Sequence, residues 1–213
     1  MKRYKSYIKL LAGLVFMGLL VSFAPDQKED KKKKSSKGGM DAASEFKSQV
    51  AGYRQSCKAA LKPFRYSFGR TTYFNYKPYN TMKEVEVALI LNSDYKFTFN
   101  ADGVTVEPIQ VSVYNKPASY NNRILIYEKK SVSGGSFEFT SEKLLENMRN
   151  HYKEKGLSDY ELEKILLSKV YVDYTIPAID EEFEEDPDTG RRKVVVKRGA
   201  IVFASGYENL GYK

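Results

Sequence analysis

The feature that most constrains the fold is residues 83–100, where apolar side chains occupy every second position in two successive runs. Alternation of β-branched and aromatic residues is typical of half-buried strands. The polar residues 92–94 between the runs predict a hairpin loop. We therefore expect two paired antiparallel strands with a solvated polar face. That face would hold Glu84, Glu86, Lys96 and Thr98.

The same period of two recurs along the rest of the chain, over residues 64–76, 109–113, 124–127, 136–140, 170–176, 191–197 and 200–205. Turn residues separate these short runs. Short strands at this spacing predict an all-β sandwich or barrel. The expected fold class is mainly β: an antiparallel β-sandwich with an N-terminal helix and a two-helix insertion. The sandwich and its insertion are expected in residues 64–206, after the helix.

Two regions change to helical spacing. Residues 41–63 place Phe46, Val50, Tyr53, Cys57 and Leu61 on one stripe, and Pro63 ends it. Residues 141–169 contain a second stripe and a capping box that opens a further helix, and they predict the insertion between strands.

The first forty residues differ from the rest of the chain. Residues 1–24 combine a basic start with an apolar run of fifteen residues, which predicts a cleaved signal peptide and export to the periplasm or cell envelope. An uncleaved inner-membrane anchor over residues 10–24 is the alternative, because lysines follow the apolar run closely. Residues 25–40 predict a disordered basic linker, and residues 207–213 a short tail.

The net charge of +8 belongs almost entirely to the leader and linker, since residues 1–40 hold ten basic and three acidic side chains. The remaining 173 residues are therefore close to neutral. A nucleic-acid-binding domain shows its basic excess on the folded surface. This distribution argues against nucleic acid as a partner, whereas the N-terminal segment could contact a membrane.

No arrangement of residues predicts catalysis. The single histidine, His151, lies in a polar helical stretch and is expected to face solvent, and a catalytic triad would have to use it. Cys57 lies on the apolar helical stripe, which predicts a small buried side chain instead of a reactive thiol. We therefore expect no catalytic residues.

The acidic loop 180–190 is the one local feature with possible metal chemistry. Its seven carboxylates include Asp186 and Asp188, whose alternation with Gly190 suits a calcium loop. The segment 186–190 is also a good hairpin turn, and a solvated loop is the simpler interpretation. Calcium is the only cofactor considered, and a calcium-dependent or carboxylate-based hydrolase is the alternative function.

Five segments of the β pattern, residues 95–100, 109–114, 136–140, 170–174 and 200–204, together resemble the small jelly-roll sandwich of the bacterial pre-peptidase C-terminal type in exported Bacteroidota proteins. The likeness covers about residues 64–206, and the insertion at 141–169 departs from the pattern. It implies a jelly-roll fold and an accessory or binding module, with no catalytic residues to carry over.

The expected function is a non-enzymatic binding or structural component of the cell envelope, with an envelope protein or a cell-wall glycan as partner. A membrane-anchored subunit of a larger envelope complex is a further alternative. Exposed tyrosines on a sheet face would supply the contacts, since their rings combine apolar area with a polar tip. The candidates are Tyr73, Tyr76, Tyr79 and Tyr114.

Overall fold

The computed structural model describes residues 42–186 and 189–210. The predicted leader (1–24) and linker (25–40) lie outside the described residues. The described helices are α1 (Ala42–Ala60), α2 (Ser141–Glu154) and α3 (Asp159–Glu163). The strands are β1 (Arg65–Asn75), β2 (Thr81–Ala88), β3 (Ser93–Asn100), β4 (Ile109–Tyr114), β5 (Leu125–Val132), β6 (Ser136–Thr140), β7 (Lys169–Ile176), β8 (Phe183–Glu185), β9 (Arg192–Val194) and β10 (Arg198–Asn209).

Eight of the strands form two four-stranded sheets. Sheet one has the order β1-β10-β3-β6 and sheet two has the order β2-β7-β4-β5, while β8 and β9 form a separate hairpin. Every pairing between these strands is antiparallel. With β10 counted as the eighth strand, the orders are 1-8-3-6 and 2-7-4-5, which is the double Greek key of a jelly roll. The predicted mainly β sandwich is confirmed, and so is its jelly-roll character.

The core lies between the two sheets because the apolar residues of each strand alternate inward. The Phe203 ring of sheet one lies 6.2 Å from the Phe97 ring and 4.9 Å from the Phe99 ring, measured between ring centroids. Val111, Val172 and other inward side chains of sheet two complete the same cluster. The regular alternation of apolar residues in these strands thus follows from the packing of the two inner sheet faces against each other.

The predicted hairpin of residues 83–100 is wrong, because its two strands lie in opposite sheets. β2 pairs with β7, whereas β3 lies between β10 and β6. The backbone crosses between the sheets at residues 89–92, where Asn92 has a φ of 56° and the Ile90 N–H donates to the Tyr95 hydroxyl at 2.8 Å. Alternation identifies a strand and its buried face, but not its neighbour in the sheet.

The polar face expected for that hairpin is also divided. Glu84 and Glu86 are exposed on the outside of sheet two. Thr98 is only 2% exposed, since it lies beneath α1 and its hydroxyl donates to the Cys57 carbonyl at 3.0 Å. The prediction of a solvated Thr98 is therefore wrong.

Helix α1 covers the outer face of sheet one. Its buried residues Val50 and Cys57, together with Leu61 just after it, pack on small residues of β10, namely Ala200, Val202 and Ala204. β10 is consequently buried on both sides from Gly199 to Gly206.

Helix α2 packs against β3, β5 and β6 and adds Leu144 and Met148 to the core. Thr140 caps its first turn, and the predicted capping box of Ser158 and Glu161 opens α3. Along the described ranges, no helix has both the length and the apolar character needed to cross a membrane.

Candidate functional site on the outer face of sheet two

A row of polar residues crosses all four strands of sheet two on its outer side. Glu84 of β2 lies opposite Asp173 of β7, Asp173 lies opposite Ser112 of β4, and Ser112 lies opposite Glu128 of β5. We call these four residues the polar row. Residues in register are direct side-chain neighbours, so the row places three carboxyl groups and a hydroxyl in one line.

Asp173 is the centre of the row and is 1% exposed. Its Oδ2 atom accepts a hydrogen bond from Arg123 Nη1 at 2.6 Å, whereas Oδ1 has no hydrogen-bond partner among the described residues. Burial raises the pKa of the Asp173 carboxyl; Arg123 opposes this shift and the nearby Glu84 carboxylate adds to it. A proton on the Asp173 carboxyl would let it donate a hydrogen bond, whereas two ionised carboxylates can only accept hydrogen bonds.

Two further side chains tie the row together. The Arg123 guanidinium lies 3.8 Å from the centre of the Tyr114 ring, a cation–π geometry that holds the arginine flat on the sheet. Gln110 Nε2 donates to Ser112 Oγ at 3.0 Å and to Glu128 Oε1 at 2.7 Å. Gln110 thus joins Ser112 of β4 to Glu128 of β5, while Arg123 holds Asp173 of β7.

The loop of residues 115–123, between β4 and β5, covers part of this row. The Ala118 N–H donates to Glu84 Oε2 at 2.6 Å, so the loop reaches across β7 to β2. Tyr171, on the outer side of β7, is only 8% exposed. Tyr120, in the same loop, keeps its ring 54% exposed. We call this loop together with the polar row, Gln110, Arg123 and Tyr114 the sheet-two site.

The arrangement suits hydrogen bonding to a hydroxyl-rich ligand. Carboxylate, amide and guanidinium groups lie next to one another on this face, and the exposed Tyr120 belongs to the same site. Asp173 itself is too covered to touch a ligand while the loop is in place. The accessible groups are Glu128, Gln110 and Tyr120.

The four tyrosines predicted as binding residues do not lie together. Tyr73 is on the α1 side of sheet one, 45% exposed, with its ring 6.4 Å from that of Phe46. Tyr79 is 56% exposed in the loop before β2, where Lys77 Nζ donates to its hydroxyl at 3.1 Å. Only Tyr114 belongs to the sheet-two site.

Tyr76 is not on the surface, which corrects its choice as an exposed contact. It is 6% exposed, and its hydroxyl donates to the Glu107 carbonyl at 2.6 Å. Burial is the main cause that raises the pKa of its phenol. The alternation of β1 points Tyr76 to the same side as Phe74, with which it makes an edge-on ring contact at 5.3 Å.

The predicted calcium site falls partly outside the described residues, since Asp188 is one of those not described. Asp186 forms an ion pair with Lys193, and its Oδ1 accepts from the Thr189 N–H at 3.1 Å. Among residues 42–186 and 189–210, no group of three or more His, Cys, Asp or Glu side chains is arranged to hold a metal ion. Calcium binding at this hairpin stays a prediction.

His151 and Cys57, the two residues considered for nucleophilic chemistry, are both withdrawn from solvent. His151 is half-buried, contrary to expectation, and its Nε2 atom is buried with no hydrogen-bond partner in the described part of the chain. Cys57 is 2% exposed, as predicted, and burial raises the pKa of its thiol to about 11. The thiol is therefore protonated and unreactive at neutral pH.

Sequence reasoning missed Asp173, although a signal was present. Aspartate is depleted in strands, yet Asp173 stands in the middle of the run Val170 to Ile176. An acidic residue at such a position is informative because it needs a partner. The partner, Arg123, is fifty residues away and could not be identified from the sequence.

Comparison with known proteins adds little. No family model matches the sequence, and no curated protein matches it either. A solved structure described as "CBM4 structure and function" is similar with a TM-score of 0.32 and 12% identity, over 72% of this chain and 83% of that one. A likeness this distant carries no argument about function. The resemblance to pre-peptidase C-terminal sandwiches stays a prediction.

Proposed function

We propose that the protein is a non-enzymatic binding module of the cell envelope, which holds a glycan at the sheet-two site. The observation that carries the proposal is the polar row with Arg123 and Gln110, which places hydrogen-bonding groups from all four strands on one flat face. The envelope assignment is supported by the predicted leader in residues 1–24.

The contrast between the two outer faces favours sheet two as the binding surface. The outer face of sheet one is occupied by α1, and its central strand β10 carries small apolar side chains there. The outer face of sheet two is polar, and the loop 115–123 crosses part of it. A glycan presents hydroxyl groups around an apolar ring face, and so it matches a polar surface with one exposed aromatic ring.

Specific groups would meet the ligand. Tyr120 offers its exposed ring for stacking. Glu128 and the amide oxygen of Gln110 offer acceptors, because both amide protons of Gln110 are already donated to Ser112 and Glu128. Arg123 is already fixed by Asp173 and Tyr114, so little side-chain entropy is lost on binding.

Affinity electrophoresis of the purified full chain, through gels containing a neutral β-glucan, a mannan or solubilised peptidoglycan, tests the proposal. We expect at least one polysaccharide to retard the protein, and Tyr120→Ala to weaken that retardation about tenfold. Tyr160→Ala is the matched control, because Tyr160 is 69% exposed on α3 and has no part in the site. Equal losses in both variants, or no retardation by any of the three, would contradict the proposal.

A further inference from the structure

A cavity of about 240 Å³ lies between the second half of α1 and the edge strand β1, away from the sheet-two site. Arg54 and Lys58 come from the helix, whereas Tyr66, Gly69 and Thr71 come from the strand. Residues 202–204 of β10 also line it. We call this space the α1–β1 pocket.

Among the described residues, the lining of the pocket has three basic side chains, Arg54, Lys58 and Arg70, and no acidic one. Neither Arg54 nor Lys58 forms an ion pair with any residue in the described part of the chain. The two side chains are one helical turn apart, and like charges at this spacing destabilise a helix. The only acidic side chain within α1, Glu45, is in its first turn, far along the helix from Lys58. Arg54 and Lys58 therefore give the pocket positive charge that no ion pair neutralises within the described part of the chain.

The basic side chains are held in place by the protein. Arg54 Nε donates to Thr71 Oγ1 at 2.6 Å, which anchors the guanidinium to β1 and leaves its two terminal nitrogens for another acceptor. Lys58 Nζ lies 4.6 Å from the centre of the Tyr66 ring. Both contacts preorganise the charges before any ligand arrives.

Gly69 makes room for this arrangement. A Cβ atom at this position would lie 2.8 Å from the Tyr66 hydroxyl and 3.3 Å from the Phe203 carbonyl oxygen. Any larger residue would therefore displace the Tyr66 ring, on which the Lys58 ammonium group rests. The absence of a side chain at Gly69 therefore leaves the space that the Tyr66 ring occupies beside the pocket.

We propose that the α1–β1 pocket binds a tetrahedral oxyanion, a phosphate or sulfate group, either free or attached to a larger molecule. The guanidinium fork matches two oxygens of such a group, and the lysine ammonium group supplies a further positive donor. The volume equals that of about eight waters at roughly 30 Å³ each, which accommodates the anion and the first atoms of an attached group. This site is independent of the glycan surface on sheet two.

Isothermal titration of the full chain with inorganic phosphate, and separately with sulfate, at constant ionic strength tests the pocket. We expect saturable binding of at least one anion that weakens about tenfold in Arg54→Gln and again in Lys58→Gln, since each removes a charge-assisted hydrogen bond. Arg54→Lys keeps the charge but loses the fork, so it should also weaken binding. Melting curves in the absence of anion check that each variant is folded.

Lys47→Gln is the matched control, because it removes the same charge from an exposed position of α1 outside the pocket. The lysines of residues 28–37 are retained in every variant, so their contribution to anion binding cancels. The proposal is overturned if wild-type protein binds neither anion saturably, or if Lys47→Gln loses as much affinity as Arg54→Gln.

Vesicle flotation then separates the sources of the anion. Phosphatidic acid exposes a terminal phosphate, whereas phosphatidylglycerol carries its charge on a diester. If Arg54→Gln and Lys58→Gln lose binding to phosphatidic acid vesicles alone, the anion is a lipid headgroup. If the variants bind both vesicles like wild type while losing inorganic phosphate or sulfate, the ligand is a soluble phosphate or sulfate.

Discussion

Both sheets have four antiparallel strands, but their outer faces differ in what packs against them. On sheet one, Ala200, Val202 and Ala204 present small apolar side chains to α1, so the helix packs closely and the face is closed. On sheet two, the corresponding positions of the central strand β7 hold Tyr171, Asp173 and Thr175, and none of the helices in residues 42–186 and 189–210 covers them.

The difference shows how a jelly roll can assign separate roles to its two surfaces. Small residues let a helix approach, and burial of its apolar stripe then stabilises the fold. Larger polar residues keep a helix away and need hydrogen-bond partners, which Arg123, Gln110 and the loop 115–123 supply. We therefore expect the sheet-one face to respond to changes in packing and the sheet-two face to changes in charge.

The largest effect is expected at the junction of α1 with sheet one. Leu61→Ala should destabilise the protein by about 3 kcal/mol, because Leu61 is 1% exposed and the truncation leaves a cavity beside Gly206. Chemical denaturation followed by circular dichroism measures the change. Met82→Ala, on the outer face of sheet two and 46% exposed, is the control and should change stability by less than about 0.5 kcal/mol. Similar costs at the two positions would mean that α1 does not seal sheet one.

A smaller effect is expected when the charge network of sheet two is broken. Arg123→Gln should cost about 2 kcal/mol, because it leaves the Asp173 carboxylate buried without its ion pair. Urea unfolding at neutral pH measures this loss.

A second ion pair on the same face provides the control. Lys169 pairs with Glu86 at 2.6 Å, but both side chains are about half exposed. Lys169→Gln should therefore cost much less than Arg123→Gln. Equal losses of stability in Arg123→Gln and Lys169→Gln would show that the burial of Asp173 does not raise the cost of breaking its ion pair.

The smallest effect is a dependence of stability on pH. The pKa of Asp173 is raised in the folded protein above its ordinary value of 3.8, mainly by burial. The folded state then holds the proton more tightly than the unfolded state, so this contribution to stability is complete below 3.8 and is lost as the pH rises through the raised pKa.

Asp173→Asn removes the titrating group while keeping an acceptor for Arg123. Subtracting its unfolding free energies from those of wild type, between about pH 4 and about pH 7, should give a difference that falls as the pH rises. A flat difference for Asp173→Asn would refute the raised pKa.

Local pattern predicted much of the fold. The stripe from Phe46 to Leu61 predicted α1, and the pair Ser158 and Glu161 predicted the start of α3, because both signals depend on residues a few positions apart. Pairing was not predictable in this way. Residues 92–94 were predicted to be a hairpin loop, although the backbone crosses between the sheets at residues 89–92.

The candidate site shows the same limit. Tyr114 was selected from the sequence as one of the tyrosines expected on an exposed sheet face. The carboxyl groups of Glu84 and Asp173 were not selected, since they are neighbours only through the pairing of β2 with β7. Their shared partner, the loop 115–123, comes from a third region of the chain.

The sequence by itself determined most of the strands and helices and which side of each is apolar, because these follow from periods of two and of 3.6 residues. It did not determine β8, which lies in the predicted loop 180–190, or the end of β10, which includes residues 207–209 of the predicted tail. The tertiary structure alone decided that residues 83–100 divide between two sheets, that Thr98 lies under a helix and that Asp173 meets Arg123. Such contacts depend on the order of strands in the jelly roll. That order reflects the free energy of closing the whole core, which no single segment contains.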